Sequence, residues 1–259
     1  MRLVDSHSHL YLEEFDADLP QVMERARAAS VTHIFMPNID STTIASMLKV
    51  CADYPSFCYP MIGLHPTSVG ENYEEELKVV AAELASPNSY VAIGEIGLDL
   101  YWDKTYVKEQ QIVLDRQINW ALEYDLPVVL HCREAFDYIF KVLEPYKNTA
   151  LRGIFHSFTG TPEDAVRIME YEGFLIGVNG VVTFKKSALP TVLKTIPLER
   201  LVLETDSPYL TPVPNRGKRN ESANVKDVLA KVAEVYGLEK ENVAEVTSQN
   251  ALKVFGMLK

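Results

Sequence analysis

The chain reads as an α/β protein, a (β/α)8 TIM barrel with extra C-terminal helices. Two observations predict this. Eight strand-like apolar runs recur along 259 residues with amphipathic helical stretches between most of them, and six of the eight runs end in a histidine or an acid. Strands alternating with helices imply a parallel sheet with right-handed crossovers, and eight such units in about 250 residues suit a closed barrel. An open doubly wound sheet is the alternative, but no GxGxxG or GxxxxGK[ST] follows the first run, which removes the usual nucleotide reasons for it.

The apolar runs lie near residues 2–6, 32–37, 57–62, 90–94, 127–131, 151–156, 173–177 and 201–204. Each is short, bounded by turn-forming residues and apolar enough to be buried on both faces. Helical periodicity is clearest over 19–30, 42–54, 74–85, 107–124, 135–146 and 162–172, with Pro20 and Pro162 well placed in first turns. Two more helical stretches, about 222–236 and 240–255, close the chain with no strand between them. Neither a Ser/Gly/Pro-rich linker nor a single-sign charge block divides the sequence, so residues 1–259 are expected to form one domain.

The composition narrows the classes of function. Three cysteines, Cys51, Cys58 and Cys132, are an odd set without CxxC spacing, which argues against a disulfide framework or thiolate metal site. No secretory leader pattern opens the chain, and nowhere do about 18 apolar residues run together. A cytoplasmic protein with no membrane association and no obligate protein partner is the expectation. The net charge of −11 argues against a surface that binds polyanions everywhere, while leaving room for a local basic patch and for carboxylates that hold cations.

Five of the six histidines stand where an apolar run ends: His7, His9, His65, His131 and His156. In His7-Ser8-His9 the residues i and i+2 of an extended segment point the same way, so two imidazoles converge on one ion. Alone, each histidine reads as well as a satisfied group at the rim of the core. Together with Glu95 and Asp206 at two further strand ends, they make the donor set of a metal centre at one mouth of a barrel. Glu95, flanked by Gly94 in Gly94-Glu95-Ile96-Gly97-Leu98-Asp99, has two oxygens with which to bridge two ions. Asp206 reads either as a ligand or as the N-cap of the turn that Asp206-Ser207-Pro208 opens. Asp5 fits an acceptor that fixes a histidine tautomer. Glu204 has no clear place, and His33, inside its strand, is structural. His65, in Gly63-Leu64-His65-Pro66, faces substrate or phosphate rather than ligating metal. Tyr101 and Trp102, just beyond Glu95, either stack on a terminal base or pack at the rim.

These motifs, with His131-Cys132-Arg133-Glu134-Ala135, His156-Ser157-Phe158-Thr159-Gly160 and Glu204-Thr205-Asp206-Ser207-Pro208, resemble the TatD family of metal-dependent hydrolases across essentially the whole chain. The resemblance implies a barrel of the amidohydrolase superfamily with two divalent ions (Mg²⁺, Mn²⁺ or Zn²⁺) and deoxyribonuclease activity, 3′-to-5′ exonucleolytic and sometimes endonucleolytic. It places one ion on His7, His9, Glu95 and Asp206 and the second on Glu95, His131 and His156, with Glu95 bridging and Asp206 accepting the proton of the attacking water. Two departures are Cys132, where serine is common, and Ser222, where proline is common. The expected partner is DNA, as single strands or frayed 3′ ends, met by Arg133 and by the basic run Arg216, Lys218 and Arg219. A barrel that hydrolyses small amides or esters would not need that run, and a non-enzymatic metal-holding scaffold would not leave an open coordination position.

Overall fold

The computed structural model describes residues 1–258, which form eight parallel strands and nine α-helices. The strands are β1 (Leu3–Asp5), β2 (Val31–Met36), β3 (Cys58–Pro60), β4 (Ile93–Asp99), β5 (Val128–Arg133), β6 (Gly153–Phe155), β7 (Phe174–Val178) and β8 (Leu201–Leu203). They pair in chain order, β1 to β3 and β4 to β8. Two short parallel bridges, Ile62 with Ile93 and Ser8 with Ser207, join the two arcs into a closed barrel. At the β8–β1 seam, Ser6 N donates to Leu203 O at 3.1 Å, Asp206 N to His7 O at 2.9 Å and His9 N to Ser207 O at 2.8 Å. The seam therefore runs straight through the histidine pair and Asp206.

The helices are α1 (Leu19–Ala28), α2 (Ile44–Asp53), α3 (Tyr73–Ala85), α4 (Val107–Glu123), α5 (Phe136–Leu143), α6 (Pro162–Met169), α7 (Leu189–Leu193), α8 (Val225–Tyr236) and α9 (Lys240–Val254). α7 is absent from the sequence reading, because five residues are too few to show a helical period. With α7 present, α8 becomes the eighth helix of the barrel and only α9 is additional. It packs against β8 and β1 and plugs the N-terminal end. Phe255, just past α9, stacks on Phe35 at 3.8 Å between ring centroids.

That plug defines which strand residues point inward. Val4, Phe35, Met61, Ala92, Val129, Ile154 and Val202 cluster with Ala251, Leu252, Val254 and Phe255, separate from the larger core between strands and helices. Side chains alternate along a strand. Two residues beyond Val129, Ile154 and Val202, the inward layer therefore contains His131, His156 and Glu204. The expected strand at 90–94 is displaced to Ile93–Asp99, so Glu95 sits inside β4 rather than after it. Its ladder is irregular between Ile93 and Ile96, and this turns Glu95 toward the same layer.

Candidate metal centre

The C-terminal mouth of the barrel opens into a cavity of about 590 Å³ lined by His9, His65, Glu95, His131, His156 and Asp206, with Asp99, Trp102, Arg133, Ser157 and Tyr209 around them. This is the face on which TIM barrels carry their active sites. His7 lies directly below, fully buried, its ring stacked on His156 at 3.7 Å between centroids.

The six ligand candidates from the sequence converge. Glu95 Oε2 lies 3.1 Å from His7 Nε2 and 3.7 Å from His9 Nε2. Its other oxygen lies 2.8 Å from His131 Nδ1 and 2.7 Å from His156 Nε2. Asp206 Oδ1 stands 3.7 Å from His7 Nε2 and 3.6 Å from His9 Nε2. Three groups of donor atoms within 4.8 Å of one another suit a metal ion: His7, His9 and Glu95; His7, His156 and Asp206; and His65, Glu95 and His131. His156 thus joins His7 and Asp206 in one grouping, while its contact with Glu95 Oε1 at 2.7 Å joins it to His131.

The donor set fits divalent cations on its own chemistry. His7 Nε2 and His9 Nε2 face each other at 3.2 Å, close to the ~3.3 Å that separates two nitrogens bound about 2.0–2.1 Å from one tetrahedral ion. Both nitrogens of His156, Nδ1 of His7 and Oε2 of Glu204 are buried without a hydrogen-bond partner, although His156 Nε2 is so near Glu95. Buried polar atoms rarely go unpaired, and a ring nitrogen beside a carboxylate without hydrogen-bond alignment is the arrangement of two ligands sharing a cation.

Groups behind these candidate ligands fix their tautomers. Tyr11 OH donates to Pro37 O at 2.5 Å and lies 2.9 Å from His9 Nδ1, so Nδ1 carries the proton and Nε2 faces the cluster. Asp99 Oδ2 lies 2.9 Å from His131 Nε2, leaving Nδ1 toward Glu95. Glu204, fully buried, accepts from Ser157 N at 2.5 Å and lies 3.5 Å from His156 Nδ1. Gly177 makes room for it, since a β-carbon there would collide with the Glu204 carboxylate. Asp5 does not touch an imidazole. It accepts from Thr205 N at 2.9 Å and Thr205 Oγ1 at 2.7 Å, tying β1 to the segment after β8.

Electrostatics follow from this crowding of acids and imidazoles. Burial opposes ionisation of Glu95, but the charges of His156, His65 and His7 and the hydrogen bond from His131 outweigh it and hold its carboxyl well below the usual range. Burial likewise opposes Asp206, and the neighbouring imidazoles of His9, His156 and His7 keep it low. Burial would depress His156, yet Glu95 and Glu204 raise it well above an ordinary imidazole, as Asp99 and Glu95 raise His131. Burial, then the charge of His156, pushes His7 down. Asp206 also holds a left-handed backbone, φ 57°, a strained conformation of the kind that gathers at functional sites.

The expected substrate contacts divide. His65 lies 3.3 Å from Glu95 Oε1, and its Nδ1 accepts from Thr67 N at 3.1 Å, so its proton is on Nε2. Burial pushes its pKa down, and Nε2 presents a hydrogen-bond donor at the edge of the cluster. Arg133 stacks on Tyr101 at 3.8 Å and reaches Trp102 at 5.3 Å. Both aromatics are largely exposed. Arg216, Lys218 and Arg219 do not line the cavity. Arg219 is committed to Asp18 at 2.8 Å, to Glu14 O and to the Phe15 ring, which sequence spacing cannot reveal. Tyr11, Asp99, Glu204, Ser157 and Tyr209 also stand at or behind the cluster without having been given a site role from the motifs; only Tyr11, two residues past His9 on the same face, carried a legible signal.

A parallel barrel with histidines and carboxylates gathered over its C-terminal mouth defines a metal-dependent hydrolase. The chain belongs to the TatD family, matching the TatD related DNase family over residues 4–256. It is 40% identical over 254 residues to YabD of Bacillus subtilis, an uncharacterized metal-dependent hydrolase, covering 98% of each chain. It is 32% identical over 262 residues to the 3′-5′ ssDNA/RNA exonuclease TatD of Pantoea ananatis, covering 99% of this chain and 100% of that one. The crystal structure of YjjV, a TatD homologue from Escherichia coli, superposes with a TM-score of 0.91 at 31% identity over 98% of both chains. The protein is thus a hydrolase that uses divalent metal. No helix among the described residues is long and apolar enough to cross a membrane.

Proposed function

We propose that the protein is a deoxyribonuclease that hydrolyses phosphodiester bonds of single-stranded DNA from the 3′ end, with two divalent ions at the barrel mouth. The division of Glu95 between two histidine pairs carries the reading. One oxygen turns to His7 and His9 and the other to His131 and His156. On it rests the assignment of one ion to His7, His9, Glu95 and Asp206 and of the second to Glu95, His131 and His156. Imidazoles favour Zn²⁺ and the carboxylates suit Mg²⁺ or Mn²⁺. When bound, such ions supply a water whose pKa falls toward ~7 and positive charge for the phosphoryl and leaving oxygens.

The remaining steps belong to side chains. Asp206, ionised and facing the cavity, accepts the proton of the attacking water at its carboxylate. His65 donates Nε2–H to a phosphoryl oxygen. Arg133 adds a positive charge beside it, and Trp102 with Tyr101 offers exposed faces to the terminal base, a contact worth roughly 1–3 kcal/mol per base. The Pantoea ananatis relative named as a 3′-5′ exonuclease supports the polarity and the polynucleotide substrate. The test is incubation of metal-loaded protein with single-stranded DNA labelled at either end, resolved at single-nucleotide spacing. Stepwise shortening from the 3′ end is expected. Inert DNA beside turnover of small esters or amides would overturn the reading.

A further inference from the structure

Outside the cavity, the loops after β7 and β8 carry four exposed cations, and no carboxylate lies within ion-pair reach of any of them among the described residues. We propose that Lys185, Lys186, Arg216 and Lys218 form a rigid basic ledge that binds the phosphate backbone of a single-stranded polynucleotide where it leaves the cavity. The class of ligand rests on the nuclease reading above; the ledge itself rests on the geometry of the two loops.

Those loops are locked together. Val213 N donates to Thr183 Oγ1 at 2.9 Å, and Gly180 lies so close to Leu210 O and Pro212 N that a β-carbon there would collide with both. The Arg216 guanidinium covers the Phe184 ring at 3.8 Å, against the segment that continues into Lys185 and Lys186. Thr211 Oγ1 donates to Lys218 O at 2.6 Å, folding the second loop back so that Lys218 returns to its base. A guanidinium stacked on an aromatic ring, with no carboxylate to satisfy it, keeps its fork of donors available. The Arg216 guanidinium, fixed in this way, surrenders little further freedom on binding.

Continuity with the site comes from the same segments. Val181 of the first loop and Leu210 of the second line the cavity, so a strand whose end lies among the histidines meets the ledge as it emerges on the β7–β8 side. Arg219 is the contrast. It stands in the same basic run but is paired with Asp18 and packed over the Phe15 ring. In a chain of net charge −11, unpaired cations gathered on two interlocked loops are where a polyanion gains affinity, through counterion release.

The test uses the Ca²⁺-loaded full chain and a twelve-nucleotide single-stranded DNA with phosphorothioate linkages. Affinity is followed against salt for wild type, for Lys185→Gln, Lys186→Gln, Arg216→Gln and Lys218→Gln combined, and for Arg219→Gln, with thermal midpoints measured alongside. The combined variant should bind more weakly at low salt, its salt slope shallower by about 0.7 per lost contact and so by up to about 2.8 for four. Arg219→Gln should lower the thermal midpoint and leave the slope unchanged. Parallel lines for wild type and the combined variant overturn the ledge, as does a slope change of equal size per charge in Arg219→Gln, which would make the effect one of net charge. Dinucleotide hydrolysis by the Mn²⁺-loaded combined variant should match wild type. A slope change with no hydrolysis by either protein leaves the ledge standing and fails the nuclease reading.

Discussion

Asp99 lies 2.9 Å from Nε2 of His131 and, as an ionised carboxylate, can only accept there. Burial opposes that ionisation, but the hydrogen bond and charge of His131, with the amides of Tyr101 and Trp102, hold the Asp99 carboxyl below its usual range. One residue thus fixes the nitrogen that His131 offers to a cation and shapes the turn that presents the two exposed aromatics. Asp99→Ala should weaken metal binding by about 10–100-fold, the usual effect of losing a group that orients a ligand. Metal affinity and DNA affinity should fall together, and a metal titration matching wild type would remove Asp99 from this role.

The pH response of metal loading follows from the same contacts. In the metal-free cluster His131 and His156 hold protons above the ordinary imidazole range, and those protons must leave before a cation binds. Binding at pH 7 should therefore release protons, seen as a dependence of the calorimetric heat on the ionisation enthalpy of the buffer. Raising the pH through the elevated values strengthens binding and acidification weakens it, with the decline beginning above ~6.5. Heats independent of buffer would contradict the elevated values.

Gly177→Ala should damage the site without touching it directly. The added methyl meets the Glu204 carboxylate, and that carboxylate holds Ser157 N and faces His156 Nδ1. Overpacking of this kind costs typically about 1–3 kcal/mol. A thermal melt and a metal titration check it together: lowered stability with weakened metal affinity is expected, and unchanged values for both would show that Glu204 relocates freely.

Because the two oxygens of Glu95 face different histidines, Glu95→Ala should cost more activity than His156→Ala. Losing one outer ligand weakens one position, while losing the shared carboxylate disrupts both. Rates of phosphodiester hydrolysis for the two folded variants decide this, and equal residual rates would count against a shared ligand.

Much of the site was legible because a barrel strand encodes orientation in steps of two. Val129 to His131 and Ile154 to His156 follow that step from apolar plug to polar mouth, and the apolar runs exposed it. Glu204 obeys the same step from Val202, yet its place was not legible, because the room for its carboxylate is left by Gly177 on the neighbouring strand. β4 was misplaced because Gly94 and Gly97 dilute its apolar run, and the ladder irregularity that turns Glu95 inward has no sequence signature. Groups acting across the chain were invisible. Arg219 looked like a phosphate contact because its partner Asp18 is 201 residues away.

Service of two ions by Glu95 is tested most directly by elemental analysis of the purified chain after loading with Mn²⁺ and removal of free metal. Two ions per chain are expected for wild type, with Glu95→Ala unable to retain the pair. A wild-type content that never exceeds one ion under Mn²⁺, Mg²⁺ or Zn²⁺ would contradict a shared role for Glu95.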